Sequence, residues 1–361
     1  MYDVIVIGGG VIGLAIAREL VGRHTVLLLD RGPTGQGTSR AAAGMLSPLS
    51  EADDQGPFFQ LSRASHALYD RFVEELQTET GLDVGYSTEG LICLASTEET
   101  AKTLLCRYEW QSNSGFDVRL LSADDVRRME PLITAPIRAA VFIPGERCVT
   151  PRRLVNALRE ACFNRGVEIR VGVHVESIAQ NQVCVGQMML EARNIVIASG
   201  VWTAELAGLN PPIPVYPRKG QILSLGMPQG AFRRMVRCGH SYFVPRSSGE
   251  LVVGATNEDA GFDVMNTAAG VGRLLMDAQQ ISSHVGPYPI LETWTGLRPA
   301  TPDGLPVLGE SAVPGVYYAT GHYRNGVLLA PITAAIVADL IDGRQPRLSI
   351  HAYRPSRFHH V

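Results

Sequence analysis

Apolar residues follow two different periods along the first part of the chain. Tyr2 to Ile7 is a short apolar run rich in β-branched residues, whereas apolar residues from Val11 to Leu20 recur at helical spacing. A second apolar run ends at Asp30. Strand, helix and strand in this order predict a βαβ unit, with parallel strands and a right-handed crossover.

The pattern changes further along the chain. Amphipathic spacing predicts helices near 59–81 and 97–113, and a third helix that starts at Ser122. From about 213 to 300, short strand-like runs such as "SYFVPR" and "ETWTGLRPAT" alternate with turn residues, which predicts an inserted antiparallel sheet. A strand and an apolar helix then follow over 315–342.

Composition narrows the class of protein. The chain has 361 residues, of which 45% are hydrophobic, and a formal net charge of −3. This length favours two domains, and the absence of a basic cluster argues against nucleic acid or an anionic membrane as partner. The apolar start has Asp3 before it and no basic region, so we do not read it as a signal peptide. We expect a cytoplasmic protein.

The six cysteines are scattered and form no C-x-x-C pair. We therefore expect buried free thiols and no metal site.

The turn after the first strand carries a glycine fingerprint. Gly8, Gly10 and Gly13 form G-x-G-x-x-G between a strand and a helix. Such glycines permit a tight turn, close approach of a pyrophosphate to the backbone, and close packing of helix on sheet. We expect the N–H groups of Val11 and Ile12 to face the phosphates at the helix N-terminus.

Asp30 ends the second strand at the position where a carboxylate binds an adenosine ribose. It would repel a 2′-phosphate, which disfavours NADP. The fingerprint alone leaves NAD and FAD open.

Four longer stretches carry a resemblance. "DRGPTGQGTSRAAAGML", "IASGVWT", "GLRPATPDGLPVLG" and "GHYRNGVLLAP" together resemble the FAD-dependent amine oxidases of the D-amino-acid oxidase superfamily, especially the glycine oxidases linked to thiamine biosynthesis. The likeness covers nearly the whole chain. It implies non-covalent FAD, since no cysteine occurs in 296–330.

The resemblance implies a two-domain α/β (α+β) fold. A Rossmann-like FAD-binding domain with a parallel sheet would be joined to a substrate-binding domain with an antiparallel sheet, as in D-amino-acid oxidase. We expect the FAD-binding domain to comprise 1–50, 140–212 and 312–361, and the substrate-binding domain to comprise 51–139 and 213–311.

The resemblance also implies which residues contact FAD besides the glycines of the fingerprint. Residues matching the family's motifs would follow the cofactor from adenosine to flavin. They are Val11, Ile12, Asp30, Arg31, Thr38, Ser39, Ala43, Gly44, Met45, Val175, His322, Tyr323, Arg324, Asn325, Gly326, Val327 and Leu328.

The joint "GHYRNGVLLAP" has two readings. Loops between buried elements often carry polar residues, so an ordinary turn is one of them. The other is a flavin clamp, with Asn325 as N-cap, Gly326 allowing close approach of the backbone, and Pro331 near the first helical turn. In that reading the helix N-terminus directs its partial positive charge at the flavin.

Five residues are candidates for contact with the substrate. Arg298 suits a substrate carboxylate, because bidentate binding of a carboxylate calls for arginine; its alternative is a structural salt bridge. Tyr242 could donate its hydroxyl to the same group or be a core aromatic residue. His240, two residues before it, would share its strand face and line the pocket or its rim. Arg324 would lie at the flavin edge. Asn257 replaces an expected methionine, which opens the pocket to N-substituted glycines.

The reaction implied is oxidative deamination of glycine or a small or N-substituted glycine, with O₂ as acceptor and no obligatory catalytic base. Three alternatives stay open. They are an oxidase of a bulkier N-carboxymethyl amino acid or a D-amino acid, a dehydrogenase with another electron acceptor, and a non-catalytic FAD-binding protein. Family precedent suggests a homo-oligomer, a tetramer.

Overall fold

The structure, a computed structural model, describes residues 1–358. Within that range the chain forms α-helices, short 3₁₀ segments and strands. The helices α1 to α9 are Val11–Leu20, Thr38–Ala41, Pro48–Glu51, Pro57–Thr80, Glu98–Asn113, Ala123–Met129, Pro151–Asn164, Ala268–Ile281 and Gly326–Ile341. The 3₁₀ segments are Gly200–Glu205, Ser283–Val285, His351–Tyr353 and Pro355–Phe358.

The strands belong to two large sheets and one small one. In chain order, β1 to β18 are Tyr2–Ile7, Val26–Asp30, Met45–Leu46, Leu91–Ala95, Arg119–Leu120, Ala139–Ile143, Arg147–Cys148, Glu168–Val171, Ser177–Ala179, Gln182–Val185, Met188–Ile197, Tyr216–Gly226, Met235–Cys238, Ser241–Pro245, Glu250–Gly254, Ile290–Ala300, Val307–Glu310 and Val316–Thr320.

The first sheet has the order β17-β18-β11-β1-β2-β8, with the β9–β10 hairpin attached to β11. β1 lies parallel to both β2 and β11, which confirms the predicted βαβ unit. At the edge, β17 runs antiparallel to β18. Helices α1, α4, α7 and α9 bury their apolar residues against one face of this sheet. Apolar residues cover most of the circumference of α9, as burial between a sheet and other helices requires.

The second sheet has the order β16-β12-β15-β14-β13-β4-β6-β5. The antiparallel sheet predicted over 213–300 is present, but it is larger and of mixed direction. Strands β4, β5 and β6 come from earlier in the chain, and β13 pairs with β4 in parallel. Such pairing between distant segments leaves no local signal in the sequence, so we did not foresee it.

The structure differs from the expected domain limits in three places. Helix α4 packs in the core of the first sheet, although we expected 51–139 in the substrate-binding domain. Strand β6 lies in the second sheet, and β17 lies in the first. These differences arise because the chain crosses between the sheets several times. The division into two domains stays a prediction, with its limits shifted accordingly.

A glycine divides one strand-like stretch. The stretch "GVEIRVGVHVESI" forms two strands, β8 and β9, and Gly172 between them has a φ of 73°. That conformation is unfavourable for other residues and interrupts a strand. After β11, the stretch "VWTAEL" contains only a 3₁₀ segment and no α-helix.

The cysteines are free, but they are not all buried as expected: Cys106 is exposed, and Cys184 and Cys238 are partly so. Within residues 1–358, no helix combines the length and the apolarity that crossing a membrane requires. The same residues contain no group of three or more metal-ligating side chains suited to an ion.

Candidate functional site

A cavity of 350 Å³ opens at the carboxyl ends of β1, β2, β11 and β18, where open α/β sheets bind ligands. Gly8 and Gly10 of the glycine fingerprint form its floor. Gly8 has a φ of 108°, and a Cβ there would overlap the Ala198 carbonyl. A Cβ on Gly13 would overlap the Gly8 carbonyl oxygen. Two of the three glycines are therefore needed by the protein's own backbone.

The phosphate-facing N–H groups differ from our expectation at one position. The Val11 N–H donates to Ser39 Oγ at 2.9 Å, so in this structure it is not free. Ser39 itself lines the cavity, on α2. Its hydroxyl therefore stands between the turn and the phosphate position that the fingerprint predicts.

The adenosine end of the cavity is built around Asp30. Its Oδ2 accepts from the Gly9 N–H at 2.7 Å, and its Oδ1 accepts from the Gly32 N–H at 3.0 Å. These bonds orient the carboxylate. Arg31 stacks on Trp202, with its guanidinium carbon 3.7 Å from the ring centroid. We did not single out Trp202, although it lies in the quoted motif "IASGVWT" directly after a buried strand.

The loop "GHYRNGVLLAP" joins β18 to α9 and lines both cavities described here. His322 is buried, and its Nε2 lies 3.0 Å from Thr333 Oγ1 on α9. Burial lowers the pKa of His322 to about 3, so the ring is neutral at physiological pH. Tyr323 has a φ of 47°, and its N–H donates to the Pro299 carbonyl. The contact with Thr333 thus holds the His322 side chain, and with it the loop, against α9.

Asn325 occupies the N-cap of α9 as predicted, but its side chain makes no capping hydrogen bond. The helix N-terminus beside the cavity consequently keeps its partial positive charge uncompensated by that side chain. A Cβ on Gly326 would make only an ordinary contact with His322. Gly326 is therefore not required by the packing of the protein itself, which agrees with space kept for a ligand.

Pro331 lies in the interior of α9, just beyond the first turn, whereas we had expected it in or near that turn. It cannot donate to Val327, and the Tyr69 hydroxyl of α4 bonds that carbonyl at 2.5 Å. Ser65 Oγ donates to the Leu328 carbonyl at 2.6 Å and accepts from the Ile332 N–H at 3.4 Å. Two hydroxyls of α4 thus replace the interrupted helical bonds.

A second cavity, of 660 Å³, lies between the first site and the second sheet. The cavities share lining residues at the flavin end of the predicted path, so a single elongated ligand can extend from one to the other. The shared residues are Thr38, Ala42, Tyr323, Arg324 and Val327. With the glycine floor, Asp30 and the free space at Gly326, this continuity fits FAD.

The structure distributes the predicted cofactor residues between the two cavities. Gly8, Gly10, Val11, Ile12, Asp30, Arg31, Ser39, Val175, His322 and Gly326 line the first, whereas Ala43, Gly44, Met45 and Asn325 line the second. Gly13 and Leu328 line neither cavity, because they are packed in the interior.

Arg298, on β16, lines the second cavity. Its guanidinium lies over Gly220 of β12, where any larger residue would overlap it. Nη1 donates to the Lys219 carbonyl at 3.3 Å and to the Thr256 carbonyl at 3.1 Å. Throughout residues 1–358, no carboxylate lies within 4.0 Å of it. The alternative of a structural salt bridge therefore finds no support.

Tyr242 lies beside this arginine in the wall of the cavity, opposite Gly254 in the β14–β15 pair. A Cβ on Gly254 would overlap its hydroxyl, so that glycine gives the side chain its space. In the part of the chain described, the hydroxyl makes no hydrogen bond within the protein. Burial raises the pKa of Tyr242, while nearby Arg298 opposes this effect. The hydroxyl thus remains a donor at neutral pH.

The other three candidates also line the second cavity, with differences from expectation. His240 is exposed and lies in the turn between β13 and β14, so its expected place on Tyr242's strand is wrong. Asn257 Oδ1 accepts weakly from Arg218 Nε at 3.3 Å. Arg324 forms an ion pair with Glu51, at 2.8 Å.

We missed Glu51 and Arg237, which face the same cavity. Glu51 follows "GML" at the end of α3, and Arg237 lies on β13, a strand that the sequence pattern did not indicate. Only the sheet pairing places them here.

Within residues 1–358, a dinucleotide-type cavity is continuous with a cavity that holds an arginine without a carboxylate partner, an arrangement that fits a flavin-dependent oxidoreductase. Comparison of the sequence with known protein families supports this class. The family described as "FAD dependent oxidoreductase" (DAO) matches residues 3–340, and the chain belongs to this family.

The sequence is 37% identical to a glycine oxidase of Geobacillus kaustophilus, covering 99% of this chain and 97% of that protein. It is 38% identical to the bifunctional protein ThiO/ThiG of Synechocystis sp., over 99% of this chain but 54% of that protein. The chain therefore spans about half the length of that bifunctional relative.

Solved structures give the same picture. The crystal structure of the Geobacillus kaustophilus glycine oxidase superposes with a TM-score of 0.94 at 36% identity, with 98% of each chain covered. An iminodiacetate oxidase from Chelativorans sp. BNC1 superposes with a TM-score of 0.90 at 27% identity, again over 98% of each chain. The expected fold class and FAD as cofactor are confirmed.

Proposed function

We propose that this protein is an FAD-dependent oxidase of glycine or a small N-substituted glycine. The substrate amine is oxidised to an imine, which water hydrolyses to glyoxylate and ammonia or the corresponding amine, while O₂ is reduced to H₂O₂. Membership of the FAD oxidoreductase family and the likeness to glycine oxidases support this reaction.

One observation carries the proposal: among the described residues, Arg298 faces the second cavity without a carboxylate within 4.0 Å, next to the Tyr242 hydroxyl, which makes no hydrogen bond to them. A guanidinium left unpaired beside a low-dielectric cavity is unfavourable unless a ligand supplies an anion. Arginine and a hydroxyl donor together suit the carboxylate of an amino acid.

The residues of the chain act mainly by positioning the substrate. Arg298 and Tyr242 would hold the carboxylate and thereby aim the Cα–H bond at the flavin end of the first cavity. Bound FAD supplies the hydride acceptor and the reaction with O₂. The substrate amine must be uncharged when the hydride leaves, so activity should rise with pH until that amine has lost its proton.

The N-terminus of α9 supplies an electrostatic contribution. Because the Asn325 side chain does not cap it, its N–H groups and partial positive charge are directed at the cavity. Negative charge that develops on the flavin during reduction would be stabilised there.

The test is production of H₂O₂ with glycine, sarcosine and D-alanine, together with anaerobic bleaching of the flavin. We expect Arg298→Leu to lower kcat/KM by at least about a hundredfold, as loss of a charge-assisted bond to a carboxylate implies, without loss of bound FAD. Arg298→Lys should retain part of the activity with a raised KM, because it keeps the charge but not the fork geometry.

Two results would contradict the proposal. One is the absence of turnover and of flavin bleaching with all three amines in a protein that contains FAD. The other is an unchanged kcat/KM for Arg298→Leu.

We further propose that the protein acts in the cytoplasm as a homo-oligomer, a tetramer, and that its imine product contributes to the thiazole of thiamine. The resemblance to glycine oxidases linked to thiamine biosynthesis and the ThiO/ThiG relatives support this context. Light scattering of the purified holoenzyme measures the number of subunits.

A further inference from the structure

Arg237 is a charged residue in the wall of the second cavity, separate from Arg298. It lies on β13 directly opposite Tyr242 of β14. Opposite residues of an antiparallel pair point to the same face of the sheet. Arg237 is therefore on the cavity face beside the tyrosine, and its side chain is only 18% exposed.

Glu51 lies between Arg237 and a second arginine. Its Oε1 is 3.2 Å from Arg237 Nη1, and its Oε2 is 2.8 Å from Arg324 Nη2. One carboxylate is thus shared by two guanidinium groups, which leaves this trio with one positive charge uncompensated. Arg237 Nη1 also donates to the Ser50 carbonyl at 2.9 Å, which fixes the arginine in place.

Other charged groups of the cavity wall have hydrogen-bond partners within the protein. Arg273 pairs with Asp277 at 3.0 Å, and Glu258 Oε1 accepts from Gln221 Nε2 at 2.8 Å. His240 is exposed at the rim. The charges that act on the Tyr242 hydroxyl are Arg298, Arg324 and Arg237 on the positive side, against Glu51 on the negative side. Among these four groups the positive charges exceed the negative one by two, which suits a substrate with two anionic groups.

We propose that Arg237, together with Arg324, forms a second anion subsite, and that the preferred substrates are N-carboxymethyl amino acids, which carry a carboxylate on each side of the amine. This inference rests on the proposed function. Arg298 and Tyr242 bind one carboxylate, and the other replaces part of the bonding that Glu51 gives to the two arginines. FAD would fill part of the 660 Å³, so the substrate has the remainder, which is lined by Arg298, Tyr242 and Arg237.

The kinetic test compares three secondary amines oxidised by the holoenzyme: sarcosine, N-ethylglycine and iminodiacetate. N-ethylglycine matches iminodiacetate in the length of its N-substituent but lacks the second charge. We expect kcat/KM for iminodiacetate to exceed that for N-ethylglycine. Arg237→Gln should reduce this ratio at least about tenfold, the size of a lost charge-assisted bond. Arg237→Lys should restore much of it.

Arg273→Gln is the matched control, since Arg273 lines the same cavity but is already paired with Asp277. The ratio should stay within about twofold of the wild-type value in this variant, because surface ion pairs contribute little.

A binding test uses ligands that cannot be oxidised at an amine. Diglycolate and ethoxyacetate are the ether analogues of iminodiacetate and N-ethylglycine, and calorimetry on oxidised holoenzyme gives their dissociation constants. Diglycolate should bind more weakly to Arg237→Gln and several-fold more tightly to Glu51→Gln, in which the competing carboxylate is removed. These opposite directions cannot both result from impaired folding.

The outcomes separate this inference from the proposed function. Turnover of sarcosine and N-ethylglycine, with a ratio that Arg237→Gln and Glu51→Gln leave unchanged, would overturn the second subsite only. Failure of these three amines and also of glycine and D-alanine would overturn the proposed function, and the binding of diglycolate would then decide the subsite independently.

Discussion

At the scale of single residues, the buried side chain of Glu146 fixes the position of α3 beside the second cavity. Its Oε1 accepts from the N–H groups of Leu49 and Ser50, at 2.8 and 3.1 Å. Its Oε2 is buried without a hydrogen-bond partner in the described chain. Burial raises the pKa of Glu146 to about 8, against the opposing effect of these backbone bonds. A carboxyl group that is neutral at pH 7 thus holds α3, which carries Glu51.

Glu146→Gln is expected to stabilise the protein at alkaline pH. The folded-state pKa lies above the ordinary value of 4.5, so the contribution of Glu146 to stability is complete below that value and is lost as the pH rises through about 8. Glutamine keeps the acceptor but cannot ionise. Denaturant unfolding at pH 9 should show a gain on the order of 1–3 kcal/mol.

The same variant should differ least from the wild type near pH 4, below the ordinary value of 4.5 at which the carboxyl of the unfolded chain ionises. An equal effect at pH 4 and pH 9 would contradict an ionising Glu146. Retained FAD in both proteins serves as the control for folding.

At the scale of elements, two hydroxyl groups of α4 bond backbone carbonyls of α9 next to Pro331, where the helical hydrogen bonds are interrupted. Tyr69 and Ser65 are four residues apart on α4, so their hydroxyls project from the same face, towards consecutive carbonyls of α9. Both residues are fully buried. Because a buried carbonyl without a partner is costly, these hydroxyls are part of the stability of the helix whose N-terminus faces the flavin site.

Tyr69→Phe should lower the free energy of unfolding by about 1–3 kcal/mol, since it removes the hydrogen-bond donor of the buried Val327 carbonyl. Pro331→Ala restores an N–H that can bond the same carbonyl, so the double variant should lose less than the sum of the single ones. A double-mutant cycle by urea unfolding measures this coupling. Tyr86→Phe, which removes a surface bond to Asp70, is the control.

Additive losses in that cycle, with a coupling energy near zero, would show that the proline and the tyrosine act independently.

Local patterns in the sequence predicted the elements that depend on local chemistry. The fingerprint strand and helix, α4, α5 and α6 with its Ser122 cap all lie close to their predicted limits. The flavin loop and the place of Arg298 in the cavity were predicted from sequence motifs. What the sequence could not reveal depends on distant contacts: the strand β13 with Arg237, the parallel pairing of β13 with β4, and the hydroxyls of Ser65 and Tyr69 beside Pro331. The roles of those residues depend on contacts between segments that are far apart in the sequence.

At the scale of the whole molecule, the segment after β2 joins the two large sheets. Thr38 donates to the Leu297 carbonyl of β16, and Trp294 Nε1 donates to the Ala41 carbonyl at 3.1 Å. Arg246, after β14, donates to the carbonyls of Val149 and Ala43, at 2.9 and 2.6 Å. Residues that line the cofactor path are thereby bonded to the substrate-facing sheet.

Arg246→Met is expected to weaken both the fold and FAD binding. It leaves the carbonyls of Val149 and Ala43 without their charged donor, at a cost of about 3 kcal/mol for the two bonds. Since FAD binds only the folded protein, added FAD should recover part of the lost thermal stability. Thermal unfolding with and without excess FAD, followed by flavin fluorescence, measures both effects.

Arg193→Met, which changes an exposed arginine paired with Asp3, is the control for loss of a positive charge. If Arg246→Met binds FAD with unchanged affinity, the proposed connection between the sheets and the cofactor path is wrong.

The glycines on the cavity face of the second sheet have a consequence for how such an enzyme can change over evolution. A methyl group at Gly220 would displace the Arg298 guanidinium, and one at Gly254 would displace the Tyr242 hydroxyl, whereas the strand pairing at both positions uses only backbone atoms. A lineage could therefore redirect its choice of substrate by single small substitutions that leave the cofactor path intact. New specificities would then arise at glycines, which have no side chain that contacts the substrate.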